Sequence, residues 1–338
     1  MTNASSSLRR RTGLVPLRGV LTRLAAGSRW RIWDSQLTAW LLIYLGWLAV
    51  AEVAVIASPA WGLGLHVVLL CGLIAHSSFA AHEGRAFLLA LALAPLVRVV
   101  SLALPLADLP PLAGYALSGV PLAVAGIVAA RVLGLTRRDL LLSPGHLRLQ
   151  LGIGLLGLPL AAVEYVVVRP TPVPTDLSGP VVALAAFSLL MWLAVVEEFL
   201  FRGVIQVAAL VYLGWWGPIY VSTVYALLHI SSGSPVAVVL MWCVGLGFAW
   251  AAARTGSLLG VSLAHGLANV GLHMLVPLAT LALTPLPPPP TAAPADPAVA
   301  GPAAWSRTLA ADPSRVGWQA WPDDAQTGAW PSAEGYRL

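Results

Sequence analysis

The chain has 338 residues, of which 58% are hydrophobic and only 10% are charged. Soluble domains carry about 25% charged residues, so this composition excludes a soluble enzyme and also a disordered chain. The formal net charge is +5, but positions 1–31 hold seven arginines and no acidic residue. The positive charge therefore reflects a basic N-terminal arm, and we expect no nucleic-acid partner.

Nine apolar stretches approach the roughly 20 residues that a helix needs to cross a bilayer. These stretches are 37–57, 61–82, 86–106, 111–133, 149–168, 181–213, 216–231, 235–253 and 257–278. The sequence therefore predicts an all-α fold, a polytopic transmembrane helix bundle with eight or nine spans. Proline or glycine marks the short connections between them, as at Ser58-Pro59 and Gly256.

The distribution of arginine predicts the orientation in the membrane. The arginine-rich arm precedes the first span, and the loop 133–150 also lies among arginines: Arg131, Arg137, Arg138 and Arg148. Arginine-rich loops stay on the cytoplasmic side, so we expect a cytoplasmic N-terminus. The loop 107–110, which has Asp108 and no arginine, fits the outside. The lysine-free, Ala/Leu/Arg-rich composition favours a bacterial plasma membrane.

Four regions follow from these patterns. They are a basic cytoplasmic arm (1–35), the N-terminal transmembrane helices (36–133), an intramembrane core (134–280) and a Pro/Ala-rich tail (281–338). Eleven of the 27 prolines lie after position 284, so we expect the tail to be disordered.

Ionisable side chains inside apolar spans mark candidate functional positions, because lipid penalises an unpaired charge. The densest group is Glu197, Glu198 and Arg202 in the span 181–213. Glu198 and Arg202 are four residues apart, so they share a helix face and can pair. Glu197 points about 100° away and has no cation at helical spacing, which suits it to accept or donate a proton. The alternative is a purely structural cluster that locks helices together.

A histidine on the next span matches the depth of this group. Gly214 and Gly217 flank a predicted helix break; Glu197 lies 17 residues before Gly214, and His229 lies 12 residues after Gly217. At about 1.5 Å per residue, the two side chains lie about 25 and 18 Å from the turn. We therefore expect Glu197 and His229 to meet, with Tyr225 one helical turn before His229.

The last span adds a third candidate pair, His265 and Asn269, which are four residues apart and share a face. His265 lies nine residues after the predicted turn at Gly256, or about 14 Å along the helix. Histidine and asparagine can donate hydrogen bonds to an oxyanion, and histidine can also bind a metal. His273 continues the same stripe.

Together these segments resemble the CPBP family of intramembrane proteases, which includes the CAAX proteases and bacteriocin-processing enzymes and is also called the ABI or type II CAAX prenyl endopeptidase family. Its pattern is Glu-Glu-x-x-x-Arg, then Phe-x-x-x-His, then His-x-x-x-Asn on separate membrane helices. Residues 197–202 match the first element, and His265 with Asn269 match the third. His229 matches the second, with Tyr225 in the place of phenylalanine.

The resemblance covers about residues 134–278 and implies an intramembrane endopeptidase, within EC 3.4, that acts on a peptide or membrane-protein substrate in the lipid bilayer. The implied catalytic residues are Glu197, His229, His265 and Asn269. Glu197 would activate a water with help from His229, and His265 with Asn269 would stabilise the tetrahedral oxyanion.

Four further residues receive supporting roles from the same resemblance. Glu198 and Arg202 would hold the helix in place, and Tyr225 and His273 would contribute to the substrate pocket. We expect a metal-free mechanism without a cofactor, because the chain has no His-Glu-x-x-His run. Zinc is the alternative, with Glu197, His229 and His265 as its ligands.

Two other functions compete with the peptidase interpretation. The first is a non-catalytic membrane adaptor or immunity-type protein that retains the motif for packing. The second is a proton-coupled transporter that uses the Glu/His group as a relay. A transporter needs a polar path across the bilayer, and the first four spans offer few polar residues to build one.

Overall fold

A computed structural model describes residues 35–80, 82–104, 111–168, 179–277 and 279. Within these ranges the chain is helical and contains no strand, which confirms the all-α fold class. The basic arm up to position 34, the loop 107–110 and the Pro/Ala-rich tail lie outside the described residues. The division into four regions stays a prediction.

The N-terminal part contains five described helices. They are α1 (Ser35–Ala57), α2 (Pro59–Phe79), α3 (His82–Leu91), α4 (Leu93–Ala103) and α5 (Pro111–Val132). Pro59 occupies the first turn of α2, where a missing N–H costs no helical hydrogen bond, and the predicted connection at Ser58-Pro59 is confirmed. The predicted span 86–106 is two helices, because Pro95 has no N–H to donate to the carbonyl of Leu91.

The C-terminal part contains seven α-helices and three shorter helical segments. The α-helices are α6 (Leu147–Leu155), α7 (Gly157–Val168), α8 (Pro180–Glu198), α9 (Gln206–Leu213), α10 (Trp216–Leu227), α11 (Pro235–Thr255) and α12 (Leu259–Val270). A π-helical segment, Phe199–Ile205, joins α8 to α9, and a second one, Gly271–Leu275, extends α12. A 3₁₀ turn, Ile230–Ser232, lies between α10 and α11.

Two of the predicted helix breaks are confirmed, and one predicted helix end is wrong. Gly214 ends α9, and Gly256 closes α11 in a left-handed conformation with φ of 65° that glycine adopts without strain. The predicted span 216–231, however, is helical only to Leu227. His229 therefore lies just beyond α10 instead of inside a membrane helix.

Among the described residues, six helical stretches are long and apolar enough to cross a membrane, which supports an integral membrane protein. They are Ala39–Ala57, Pro59–Phe79, Gly84–Ala103, Leu147–Val168, Ala183–Leu213 and Pro235–Thr255. Of the other three predicted spans, 111–133 corresponds to α5, which has 22 residues. The span 257–278 corresponds to the shorter apolar helix Leu259–Leu275, and α10 has 12 residues, which cover only about 18 Å.

Large apolar side chains cover the outside of the bundle. Trp61 is 75% exposed and Phe79 is 88% exposed, and many leucines and valines on α1, α2 and α11 are exposed as well. Soluble monomers rarely expose apolar patches above a few hundred Å². These helices therefore present their outer faces to lipid.

Aromatic contacts attach the short helix α10 to the N-terminal helices. The ring of Phe87 stacks on Tyr212 and meets Tyr220 edge to face. The hydroxyl of Tyr220 donates a 3.1 Å hydrogen bond to the carbonyl of Leu41 in α1. These contacts fix the position of the helix that leads to His229.

Candidate active site

The predicted Glu-Glu-Arg group lies where α8 changes into its π-helical segment. Glu197 and Glu198 are the last two residues of α8, and Arg202 lies within the segment Phe199–Ile205. Glu198 is fully buried, and Arg202 and Glu197 are 1% and 8% exposed. Insertions of π-helix are rare and frequently occur at functional sites.

Glu198 contacts two basic side chains, Arg202 and His265, at once. Its Oε2 lies 3.3 Å from Nε of Arg202, so the ion pair expected from their spacing is formed. Its Oε1 lies 2.8 Å from Nδ1 of His265 on α12, a contact that the sequence did not predict. Glu198 therefore joins the two helices that carry most of the candidate site.

Aromatic rings contact the guanidinium of Arg202 in addition to the carboxylate of Glu198. It lies 4.6 Å from the centre of the Tyr225 ring and 5.9 Å from the centre of the Phe248 ring. One of its amino groups lies 3.5 Å from the carbonyl oxygen of Gly245. Desolvated cation–π contacts stabilise by about 2 kcal/mol, so the rings offset part of the cost of burying this charge.

Glu197 has a looser environment than its neighbour. Its Oε2 lies 3.7 Å from Nε2 of His265, which is too long for a hydrogen bond. Within the described residues Glu197 forms no ion pair with an arginine. This carboxylate therefore keeps its oxygens free for another ligand, such as a water.

His265 reaches the carboxylates because α12 packs closely on α8. A β-carbon at Gly266 would overlap the sulfur and methyl group of Met191, which would then have to shift, so glycine favours this approach. His265 is buried, and Asn269 is half-buried one helical turn further along. Across the described chain, the amide of Asn269 has no side-chain hydrogen bond, which leaves it available to a substrate.

His229 is fixed by a contact that replaces a helical hydrogen bond. Its main-chain N–H donates to the carbonyl of Ala226 instead of that of Tyr225. The carbonyl of Tyr225 accepts from Nδ1 of the His229 ring at 2.8 Å. The two rings also pack against each other with 4.9 Å between their centres. The side chain of His229 is thus fixed although it lies outside the helix.

The structure brings most, but not all, of the predicted residues together. Among the described residues no hydrogen bond or ion pair joins His229 to Glu197, so the expected direct meeting is not formed. The ring of Tyr225 contacts both Arg202 and His229, so it links His229 to the Glu-Glu-Arg group through the arginine. His273 is half-buried in the second π-helical segment, and none of the described contacts joins it to this group.

Two residues near the group were not assigned a role from the sequence. Phe248 on α11 packs 6.1 Å from the ring of His265, measured between ring centres. Glu164 on α7 is 6% exposed and lies close enough to His265 for an electrostatic interaction. A carboxylate inside an apolar span was the available signal for Glu164.

The alternative zinc ligands do not form a preformed metal site. No group of three or more His, Cys, Asp or Glu side chains in the described ranges is arranged to hold a metal ion. The present geometry therefore does not fit the set of Glu197, His229 and His265.

These features define a polytopic helical membrane protein with a buried group of charged and histidine side chains between its C-terminal helices. We call Glu197, Glu198, Arg202 and His265 the site cluster. Residues 179–271 match the family model described as type II CAAX prenyl endopeptidase Rce1-like. This match supports the resemblance of the segment to the CAAX-protease, or CPBP, family. No curated protein and no solved structure matches the chain.

The family match covers the region from α8 to the start of the second π-helical segment, which includes the whole site cluster together with His229 and Asn269. It supports the function of an intramembrane protease of the CAAX type, which acts on a peptide or protein in the bilayer. The N-terminal helices lie outside the match.

Proposed function

We propose that this protein is an intramembrane endopeptidase in which Glu197 activates the attacking water. The observation that carries the proposal is a carboxylate without an arginine partner, 3.7 Å from a histidine of another helix, inside the segment that matches the protease family. A carboxylate held in this way has an oxygen available for a water, and proton transfer by such a group accelerates hydrolysis by about 10²- to 10⁴-fold.

In the proposed reaction, one proton of the water passes to Glu197 while the water oxygen forms a bond to the carbonyl carbon of the peptide. The carbonyl oxygen becomes the oxyanion of a tetrahedral intermediate. This intermediate collapses as the carbon–nitrogen bond breaks, and Glu197 returns its proton to the leaving nitrogen. The products are a carboxylic acid and an amine, and Glu197 ends ionised as it began.

His229 is suited to assist Glu197 because of its hydrogen bond to Tyr225. A carbonyl oxygen only accepts hydrogen bonds, so Nδ1 of His229 carries the proton in this contact. In the neutral ring Nε2 then holds a lone pair that can accept a hydrogen bond from the same water. We propose that the water bridges Glu197 and His229, which do not contact each other directly.

We propose that His265 and Asn269 stabilise the oxyanion. Glu198 is paired with Arg202, so it accepts the Nδ1 proton of His265 and fixes the ring. Donation from Nε2 to the oxyanion then requires the imidazolium, whose charge the oxyanion itself balances once Glu197 holds the proton of the water. Glu198 and Arg202 thus orient the ring of His265 in addition to holding their own helix in place.

The proposed substrate is a peptide or membrane-protein segment, with Tyr225 and His273 contributing to its pocket. The name of the matched family refers to prenylated CAAX sequences. The lysine-free composition favours a bacterial plasma membrane, and we expect the N-terminus in the cytoplasm. In a bacterium an unprenylated substrate is expected. The proposed test therefore includes both kinds of peptide.

The test is cleavage by the purified full chain in detergent, with a peptide library and a CAAX peptide made with and without a farnesyl group. Glu197→Gln is compared with the wild type and with Ser188→Ala, a control on the same helix whose hydroxyl bonds only to the carbonyl of Leu184. Each protein is assayed with and without a chelator.

We expect Glu197→Gln to lose cleavage while Ser188→Ala and the chelator-treated wild type keep it. Loss with the chelator would instead indicate the zinc alternative. If the folded wild type cleaves no peptide, the result supports the adaptor interpretation and contradicts our proposal.

A further inference from the structure

A second group of buried ionisable residues lies outside the segment that matches the protease family. Its members are Glu52 on α1, His66 on α2 and Arg98 on α4, which we call the N-terminal cluster. Glu52 and His66 are fully buried, and Arg98 is 6% exposed. Because such residues are costly inside a membrane, they need partners and often a function.

Glu52 is the centre of this cluster. Its Oε1 lies 2.7 Å from Nε of Arg98, and its Oε2 lies 3.2 Å from an amino group of Arg98, so both oxygens face the guanidinium. Nε2 of His66 lies 3.2 Å from Oε1 of the same carboxylate. The hydrogen bond to Oε2 orients the guanidinium, and the close approach of Oε1 to Nε helps to neutralise its charge.

The fixed guanidinium also reaches the C-terminal half of the chain. The same amino group of Arg98 donates a 2.9 Å hydrogen bond to the hydroxyl of Ser231. Ser231 is the middle residue of the 3₁₀ turn Ile230–Ser232 and lies two positions after His229. One charged side chain from the N-terminal helices therefore holds the turn that follows a proposed catalytic residue.

This turn determines the main-chain position of His229. The carbonyl of His229 accepts from the N–H of Ser232 at 3.0 Å, so His229 is the first residue of the turn. Its own N–H bonds to Ala226, and the regular helix has already ended at Leu227. A turn outside the helix lacks the support of continuous helical hydrogen bonds, so an external anchor at Ser231 matters more.

We propose that Arg98 is a positioning residue for His229, acting through Ser231, and that Glu52 and His66 hold Arg98 in the required orientation. The catalytic consequence rests on the proposed function, whereas the positioning of the turn does not. The N-terminal helices would then contribute to the reaction although they lie outside the family match. The competing interpretation is that this cluster only holds α1, α2 and α4 together.

Ser231 offers a sharper test than Arg98, whose replacement would leave Glu52 buried without its cation. Ser231→Ala removes only the acceptor for Arg98, and Ser231→Thr restores a hydroxyl. Ser222→Ala is the matched control, because Ser222 lies on α10 and its hydroxyl bonds only within that helix, to Pro218. Hydrogen–deuterium exchange reports on the turn, and steady-state cleavage of the fastest-cleaved library peptide reports on catalysis.

We expect Ser231→Ala to speed amide exchange at His229, Ser232 and Gly233 by about tenfold, as loss of one hydrogen bond to a charged group predicts. We expect its kcat to fall by about tenfold with KM within about twofold, since positioning affects the chemical step. Ser231→Thr and Ser222→Ala should behave like the wild type in both measurements.

Unchanged exchange in Ser231→Ala, or failure of Ser231→Thr to restore it, would overturn the positioning role. Faster exchange with an unchanged kcat would overturn its link to catalysis. If the wild type cleaves no peptide, the proposed function fails, and the exchange measurement alone still decides whether Arg98 positions the turn.

Discussion

The site cluster and the N-terminal cluster contain the same chemical groups in different proportions. Both have one arginine and one histidine buried among membrane helices. The N-terminal cluster has one glutamate, which pairs with the arginine through both oxygens. The site cluster has two glutamates for one arginine, and only Glu198 contacts it. The additional carboxylate, Glu197, is the group without an arginine partner.

The arginine contacts of the two clusters also differ in length. Nε of Arg98 lies 2.7 Å from Glu52 and Nε of Arg202 lies 3.3 Å from Glu198, and neither of these contacts has the alignment of a hydrogen bond. Arg98 donates one aligned hydrogen bond of 3.2 Å to Glu52 through an amino group. Both clusters contain buried polar atoms without a hydrogen bond in the described chain, so the additional carboxylate, Glu197, is what distinguishes the site cluster.

Replacing Glu197, Glu198 or Glu52 by glutamine tests this difference between the two clusters, because the chemical change is the same at each position. The largest effect is expected for Glu197→Gln, which should lower kcat/KM by about 10²- to 10⁴-fold because the amide cannot accept the proton of water. Its apparent Tm should stay within a few degrees of the wild type, since Glu197 has no short ion pair to lose. Cleavage rates and thermal unfolding in the same detergent check both parts; a large loss of Tm would contradict the assignment.

Glu198→Gln should lower both stability and activity. It leaves Arg202 buried without its carboxylate, and breaking a buried pair in this way costs about 3–5 kcal/mol. It also weakens the acceptor that fixes Nδ1 of His265, so the cleavage rate per folded molecule should fall. Thermal unfolding and active-fraction-corrected rates separate the two effects. Full stability with lost activity would show that the pair with Arg202 is unimportant for folding.

Glu52→Gln should act mainly on stability. Arg98 and His66 would remain buried without the carboxylate that both contact, and the expected loss is again about 3 kcal/mol. The folded fraction should keep a rate far above that of Glu197→Gln, because the carboxylate proposed as the base is intact. The checks are a thermal shift and a rate corrected for folded protein. A rate as low as that of Glu197→Gln would place Glu52 in the chemistry instead.

The contrast also explains what could be predicted from the sequence. The Glu198–Arg202 pair depends on a spacing of four residues, which a regular helix converts directly into contact. The contacts of Glu198 with His265 and of Glu52 with Arg98 join residues 67 and 46 positions apart. Helical periodicity does not predict contacts between residues so far apart. The sequence therefore shows the members of the N-terminal cluster only as isolated ionisable residues.

Most of the predicted spans were confirmed, because the length of an apolar stretch can be read from consecutive residues of the sequence. The errors occurred where local hydrogen bonding departs from the regular helix. The depth argument assumed a continuous helix to His229, but α10 ends at Leu227. It also assumed regular helix after Glu198, where the chain is π-helical to Ile205. These departures explain why Glu197 and His229 do not meet directly.

The smallest effect is expected at Tyr225, whose contacts come from its ring and its main chain. The ring face lies 4.6 Å from the guanidinium of Arg202, and the carbonyl accepts from His229. Tyr225→Phe keeps both contacts, so stability should change by less than about 0.5 kcal/mol and the cleavage rate by less than about twofold. Tyr225→Leu keeps the carbonyl but removes the aromatic face nearest to Arg202, which should cost about 1–2 kcal/mol of stability because the other ring contacts of Arg202 are more distant. Thermal unfolding of both variants decides the matter: equal losses would mean that the hydroxyl, and not the ring, stabilises the site cluster.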